Sequence, residues 1–420
     1  MTKWILMLAA CLSFFSSLAA AETLTLENCL QLVREKNPSL LEAASRPRIE
    51  AAKTATTRSA YRPKVEVDAG YTQQQAPQQV VIAGMSEPTQ NRSFPHASLS
   101  VDQLLYDFGR TAGQVGAADA ARRAAGFTYA STEQDILLQT VSAYYRVLSI
   151  EALLQAAKDE VTQTVAHLRT GQALYEQGMV TRNDVLQAEV RLAASNQQVL
   201  ARQGDLKNAW LDLNYLTGRP AEARGDLVAE PSPAAEVEQE PLSTDQRPDL
   251  LAQTERVDEA QEKIRRAKGS YWPELYAHLG ADYVENDYVK EQTIYSATLG
   301  IRFTLYDGAA RSARLHEAQE NLRKEQQHLV DLQERARLDE QTARNDAEVS
   351  AKQINVAQTA IRQAEENLRI NQNRYREQVG TATEVLDAET LLTQARTDLV
   401  RSQFNYQVAV ARIRHAAGSL

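Results

Sequence analysis

The chain has 420 residues, of which 24% are charged and 43% are hydrophobic, so it is long enough for two domains and close to average for folded globular proteins. This composition excludes a chain that is disordered throughout. The formal net charge of −9, without any stripe of lysines and arginines, excludes a nucleic-acid-binding protein.

The first 21 residues are predicted to be a secretion signal. Lys3 supplies a positive charge, an apolar stretch runs from Trp4 to Phe15, and Ala19-Ala20-Ala21 forms a small-residue cleavage site. The alternative is a lipoprotein signal with a lipid on Cys11, which the short apolar stretch before Cys11 disfavours. After cleavage Cys29 is the single remaining thiol, so no internal disulfide is expected. No later apolar run reaches about eighteen residues, so entry into a membrane would require strands.

Four stretches alternate between apolar and polar residues, which predicts β-strands. They are KVEVDAGY from Lys64, ASLSVDQLLY from Ala97, residues 274–283 and residues 296–305. Strands of about ten residues with one apolar face are typical of transmembrane barrels, and a soluble two-faced sheet is the alternative for any one of them. Four such strands on an exported chain favour the membrane. The residues expected to face lipid are Leu275, Leu279, Leu299, Ile301 and Phe303.

Long helices are predicted between and after the strands. Residues 110–176 and 311–378 contain no proline and little glycine. At ~1.5 Å per residue, each helix would be on the order of 100 Å long. The chain then returns as a second helix whose apolar residues, such as Val385, Ala388 and Leu392, have the spacing of a coiled-coil seam. Asn37-Pro38 is expected to interrupt the first helix, because proline lacks an N–H group.

The two halves of the chain repeat each other. LYEQGMVTRNDVLQAE from Leu174 aligns without a gap with RYREQVGTATEVLDAE from Arg374, an offset of 200. Upstream, YRP at Tyr61 matches YWP at Tyr271, an offset of 210, so the first copy holds ten extra residues between its strands. The predicted organisation is a signal at 1–21, a first repeat at 22–218, a Pro- and Glu-rich linker at 219–248 and a second repeat at 249–420.

The aligned stretches lie where each long helix reverses into its return helix. Gly178 is suited to the left-handed conformation that ends a helix. Thr181 with Asp184, and Thr381 with Glu384, have the spacing of capping boxes. Asp184 and Glu384 therefore have two interpretations, as capping acids alone or as charges with a further function.

Together these features resemble the TolC-like outer-membrane efflux protein family. The resemblance covers the chain after the signal and depends on several motifs that occur in order and are mostly doubled. They are the opening TLTLENCLQLVREKNPSLLEA, the YRP and YWP strand entries, the LYD strand exits, the restart RPDLLAQTERVDEAQEKIRRAKGSYWPEL, and the Tyr–Gly–Thr–DVL helix tips.

The resemblance implies an α+β membrane protein that forms a homotrimer. Each chain would give four strands to one twelve-stranded β-barrel in outer-membrane lipid, continued by a long α-helical barrel in the periplasm. A physical argument agrees, because four strands alone leave open edges whose backbone groups cannot face lipid. Other copies of the chain must complete the sheet.

The resemblance further implies an exit duct in the outer membrane of a Gram-negative cell. A periplasmic adaptor and an inner-membrane pump of the RND, ABC or MFS class would deliver substrates, which pass without chemical change. Glu384 and Asp387 occupy the acidic positions of the family's tip and would form carboxylate rings in a trimer, with Asp184 at the matching place in the first copy. The second copy departs from the pattern by having Gln378 where the first has Gly178. The tip residues implied to contact the adaptor are Tyr175, Gly178, Thr181, Tyr375, Gly380 and Thr381.

No enzyme chemistry is predicted. The six histidines are scattered without metal-ligand spacing, no Gly-rich phosphate loop follows a strand, and no nucleophile motif is present, so neither a metal nor another cofactor is expected. A second non-enzymatic hypothesis is a periplasmic coiled-coil scaffold without a membrane part. It explains the helices but not the four strands, and the dependence of solubility on detergent distinguishes the two.

Overall fold

The computed structural model describes residues 23–229 and 244–420. The predicted signal and half of the predicted linker, residues 230–243, lie outside the described residues. The helices are α1 (Leu26–Lys36), α2 (Pro38–Ala43), α3 (Ser45–Arg58), α4 (Arg110–Glu176), α5 (Arg182–Thr217), α6 (Pro248–Gly269), α7 (Ala310–Arg376) and α8 (Ala382–Ala416). The strands are β1 (Thr23–Leu24), β2 (Lys64–Gln73), β3 (Gln79–Ile82), β4 (Met85–Pro88), β5 (Ser93–Tyr106), β6 (Asp226–Leu227), β7 (Glu274–Val284) and β8 (Thr293–Arg302). The predicted α+β class is confirmed.

The predicted interruption at Asn37-Pro38 separates α1 from α2. Helix α1 ends at Lys36 and α2 begins at Pro38, whose missing N–H costs nothing in a first turn. The Asn37 side chain stabilises the junction, because its oxygen accepts from the Leu40 N–H at 2.9 Å and its nitrogen donates to the Leu216 carbonyl at 2.8 Å.

The two predicted long helices are confirmed. Helices α4 and α7 have 67 residues each, and both their first and their last residues lie 200 positions apart. The return helices α5 and α8 have 36 and 35 residues. Within residues 23–229 and 244–420, no helix is long and apolar enough to span a membrane.

The described residues form two compact units. The first contains the described parts of Met1–Ala43, Ala130–Arg247 and Glu334–Leu420. Its largest core surrounds Tyr144, whose hydroxyl donates to the carbonyl of Leu24 at 3.0 Å and lies 2.7 Å from that of Val228. These two contacts of the hydroxyl hold the short parallel pair of β1 and β6 against the helices. The core also includes Cys29, the thiol expected to remain after signal cleavage, fully buried.

The second unit contains Ala44–Tyr129 and Pro248–Gln333, and its centre is a four-stranded antiparallel sheet in the order β2-β5-β7-β8. The register places most of the alternating apolar residues on one face, for example Leu279 opposite both Val101 and Ala297, whereas Leu104 and Ile294 lie on the opposite face. The polar residues share the other face, where His278 pairs with Asp102 and Thr298. In the described chain, β2 and β8 each have one neighbour, so both outer edges of the sheet are open.

Strand β8 has the predicted length of ten residues, but it begins and ends three residues earlier than the sequence predicts. Alternation continues through Phe303 to Leu305, but the strand ends at Arg302, which pairs with Glu274, the first residue of β7. Pro273 precedes Glu274 and has no N–H to donate, so the ladder stops there. In the first copy, the connection from β2 to β5 holds the additional hairpin of β3 and β4, which lies within the longer segment that the offset change predicts.

Candidate functional site at the helix tips

Both helix reversals use the same backbone turn. In the first, Gly178 has φ of 72° and donates to the carbonyl of Tyr175, while Met179 donates to that of Leu174 at 2.9 Å. In the second, Gln378 has φ of 63°, and the corresponding donors are Gln378 and Val379. These two backbone hydrogen bonds form the C-capping motif in which the residue just after the helix has the left-handed conformation. The departure at Gln378 therefore leaves the turn unchanged, and Gly380 is not among the residues with positive φ.

Both predicted capping boxes are present. Thr181 caps α5, and its backbone N–H donates to the Asp184 carboxylate at 2.9 Å. Thr381 caps α8, and its N–H donates to the Glu384 carboxylate at 3.0 Å. Each acid satisfies a donor at a helix N-terminus that has no partner within the helix. The predicted capping boxes of Asp184 and Glu384 are thus confirmed, and the participation of these acids in an acidic ring stays a prediction.

The three tip acids differ in what their charges meet. Glu384 is half-exposed and lies 3.5 Å from the Arg374 guanidinium, which offsets part of its charge. Asp387 is exposed and has no hydrogen bond or ion pair within the described parts of the chain. In the first copy Gln187 stands at the position of Asp387, and its side-chain oxygen accepts from Thr383 at 3.3 Å, a contact between the two tips. Asp387 therefore retains the least compensated charge of the three.

The two predicted tip tyrosines occupy different surroundings. Tyr175 is 45% exposed, whereas Tyr375 is 4% exposed and packs in the cluster of Val385, Ala382 and Leu368. The Tyr375 ring lies 5.3 Å from that of His167, between their centroids. Burial raises the pKa of the Tyr375 hydroxyl, and the charge of Asp184 adds to this. Burial also lowers the pKa of His167, which keeps this histidine neutral near pH 7.

A shallow cavity of about 210 Å³ adjoins these rings. Its lining is contributed by α4, α7 and α8, and includes His167, Thr170, Gln372, Tyr375 and Val385. In the single chain the side chain of Tyr375 is buried here, so of the two tip tyrosines only Tyr175 has an exposed aromatic ring.

Sequence reasoning missed a charged cluster slightly farther from the tips. Glu160, Arg191 and Glu389 lie on α4, α5 and α8, and Glu389 is 1% exposed. A signal was available, because Glu389 follows Val385 by four positions and precedes Leu392 by three, which places a carboxyl on the apolar seam of α8.

Four of the five residues predicted to face lipid lie on the apolar face of the sheet. Leu279, Leu299 and Ile301 are exposed in the chain, at 54%, 74% and 69%. Leu275 is opposite Ile301 and partly covered, and Phe303 lies one residue beyond the end of β8. Within the described ranges, no group of three or more His, Cys, Asp or Glu side chains is placed to hold a metal ion.

The model of a known family, described as outer membrane efflux protein, matches residues 29–219 and 242–419. The chain belongs to the outer membrane efflux protein family. It is therefore a transport protein of the outer membrane rather than an enzyme, as predicted. The gap between the two matched segments, residues 220–241, lies within the predicted linker.

Two curated relatives match nearly the whole chain, and a third matches 77% of it. Outer membrane protein TolC of Escherichia coli strain K12 is 25% identical over 97% of this chain and 85% of its own length. Outer membrane efflux protein BepC of Brucella suis biovar 1 is 23% identical over 96% of this chain and 86% of its own. Alkaline protease secretion protein AprF of Pseudomonas aeruginosa is 23% identical over 77% of this chain and 69% of its own length.

Solved structures have the same fold. The transmembrane channel protein CusC superposes with a TM-score of 0.85 at 16% identity, covering 94% of this chain and 92% of its own. The outer membrane protein VceC of Vibrio cholerae superposes with a TM-score of 0.83 at 18% identity, covering 94% of this chain and 96% of its own. At these identities the likeness concerns the fold alone.

Proposed function

We propose that this efflux protein is the exit duct of a tripartite efflux or type I secretion system, built as a homotrimer. Three copies place twelve strands in one β-barrel, and their helices continue it as an α-helical barrel in the periplasm. An inner-membrane pump and a periplasmic adaptor deliver the substrate, which the duct conducts passively. One relative is named for efflux and another for protease secretion, which supports both an efflux system and a secretion system as the setting of this duct.

The observation that carries this proposal is the sheet with two open edges and one apolar face. An exposed strand edge leaves backbone N–H and C=O groups unpaired, which is costly in lipid. In the single chain β8 also exposes Leu299 and Ile301 to solvent, at 74% and 69%. Since strand directions alternate across the sheet, β8 of one copy can pair antiparallel with β2 of the next. Closure by copies pairs the edges, and lipid covers the apolar face.

The duplicated sequence fits this assembly as two structural repeats, 22–218 and 249–420, joined by the linker at 219–248. Each repeat then supplies two barrel strands and one long helical hairpin. At the inner end, Glu384 and Asp387 form stacked carboxylate rings, with Asp184 nearby in the first repeat. The turns at Gly178 and Gln378, together with Tyr175, provide the surface that meets the adaptor.

Ion conduction by the purified protein tests the proposed function. The detergent-solubilised chain, added to a planar lipid bilayer, should insert and give discrete conductance steps with a preference for cations. The variant Leu279→Arg places a charge in the middle of β7 on the apolar face. At the same protein concentration it should insert into the bilayer much less often than the wild type. A protein that stays soluble without detergent and never changes the bilayer conductance would contradict the proposal and favour the periplasmic scaffold.

A further inference from the structure

Glu389 is a carboxyl buried where the helices of the first unit meet near the tips. It is 1% exposed, and neither of its carboxyl oxygens has a hydrogen-bond partner within the described residues. Ala388 and Val385 beside it belong to the apolar cluster between α7 and α8. A buried carboxylate without a partner is strongly unfavourable, so this position favours the protonated form.

The neighbouring charges do not compensate Glu389. From α5, the Arg191 guanidinium is the nearby cation, but it donates to the Glu160 carboxylate of α4 at 2.8 Å. The Nε of Arg191 is buried and has no acceptor in the described chain. The side chains that α7 contributes to the cluster beside Glu389 include Ala364 and Leu368, which carry no charge. Burial raises the pKa of Glu389 from its usual 4.5 to about 7; the attraction of Arg191 opposes this and the repulsion of Glu160 adds to it.

We propose that Glu389 is a proton-sensitive determinant of helix packing at the inner end of the duct. Protonated, the side chain stays buried and α8 remains packed against its neighbours. Ionised, it must take up water or draw Arg191 away from Glu160, which leaves the buried Glu160 carboxylate without its cation. Either change weakens the packing of α8 against its neighbours. The consequence for flow rests on the proposed function: passage through the tip increases as Glu389 loses its proton.

The pH range follows from proton linkage. The packed state binds the Glu389 proton more tightly than a loosened state in which the carboxyl meets water at its usual pKa of 4.5. Packing is therefore strongest below pH 4.5, weakens as the pH rises to about 7, and stays at the weaker level above that. His167, the other buried titratable side chain near the tip, has a lowered pKa and stays neutral across the upper part of this range.

The sequence repeat supplies a matched control. Glu189 stands 200 positions before Glu389 in the same aligned stretch and is exposed on α5. Glutamine at either position keeps the size of the side chain and removes its titration. Glu160→Gln gives a third variant, because it frees Arg191 to pair with ionised Glu389.

Hydrogen–deuterium exchange of α8 residues 385–392, in the full-length protein in detergent, tests the proposal. Comparing variants at one pH cancels the intrinsic dependence of exchange on pH. At pH 8, the wild type should exchange at least about tenfold faster than Glu389→Gln, since each unit of pKa shift is a tenfold change in the opening equilibrium. At pH 4.5 the two should agree. Glu189→Gln should exchange at the same rate as the wild type at both pH values. Glu160→Gln should exchange more slowly than the wild type at pH 8.

Equal exchange of wild type and Glu389→Gln at pH 8, or an effect of the same size from Glu189→Gln, would overturn the proposal. If Glu389→Gln does not fold, Glu160→Gln carries the test, and unchanged exchange in that variant contradicts the charge coupling. The readout is independent of conduction. A protein that shows the pH effect without conducting contradicts the proposed function alone, and one that conducts without the pH effect contradicts only this inference.

Discussion

Replacing Glu384 and Asp387 separately distinguishes a capping acid from a charge at the pore opening. The Glu384 carboxylate accepts from the Thr381 N–H at 3.0 Å and lies 3.5 Å from Arg374. Glutamine at Glu384 can accept the same hydrogen bond without the charge, whereas alanine cannot. Asp387, exposed and without a partner in the described chain, carries a charge and no capping bond.

The expected costs follow from these contacts. Glu384→Ala loses one hydrogen bond, worth about 1 kcal/mol, and a half-exposed ion pair worth about 0–1 kcal/mol. The free energy of unfolding should therefore fall by about 1–2 kcal/mol. Glu384→Gln keeps the hydrogen bond and should lose less than about 1 kcal/mol. Asp387→Asn should change stability by no more than about 0.5 kcal/mol, as at an ordinary surface site.

Planar-bilayer recordings measure the other role. In a trimer each substitution removes three carboxylates from a narrow opening, where like charges concentrate counter-ions. Asp387→Asn should reduce both the cation preference and the inhibition by multivalent cations added on the tip side, with stability unchanged. Glu384→Gln should reduce them with a small loss of stability. Unchanged selectivity and inhibition in Asp387→Asn would refute the acidic-ring prediction, and equal destabilisation by Glu384→Gln and Glu384→Ala would refute the capping account.

Two further predictions use matched positions in the repeat and in the sheet. Gly178 and Gln378 both have positive φ, a conformation that glycine adopts more easily than glutamine. In denaturant unfolding, Gly178→Gln should therefore lower the free energy of unfolding by about 1–2 kcal/mol, and Gln378→Gly should raise it by a similar amount. Changes of the same sign in both variants would show that other contacts dominate the turns. Leu279→Arg, at mid-strand on the apolar face, should cost about 2–4 kcal/mol and reduce the yield of assembled protein on unheated gels, whereas Thr298→Arg on the polar face should be tolerated. Equal damage at both positions would contradict the assigned faces.

Local patterns predict the elements of this fold because each element depends on its own residues. The absence of proline and the scarcity of glycine give the extent of α4 and α7, and period-two alternation gives the strands and their faces. The threonine and acid spacing at Thr181 and Thr381 gives the caps. The gapless offset of 200 extends these predictions from one half of the chain to the other.

What the sequence could not predict depends on residues distant in the chain. Strand β8 stops at Arg302 because its partner strand begins at Glu274, after a proline, although the alternation of β8 continues. Gln378 adopts the left-handed conformation expected of glycine, and its turn has the same two backbone hydrogen bonds as the turn at Gly178. Glu389 and Glu189 occupy equivalent places in the repeat, yet packing buries one and exposes the other.

We propose that three copies of this chain complete one barrel, because the four-stranded sheet has two open edges. Native mass measurement of the detergent-solubilised protein tests it most directly. We expect one species at three times the mass of the processed chain, which separates into single chains on heating. A species that retains the mass of one chain under conditions that preserve conduction would contradict it.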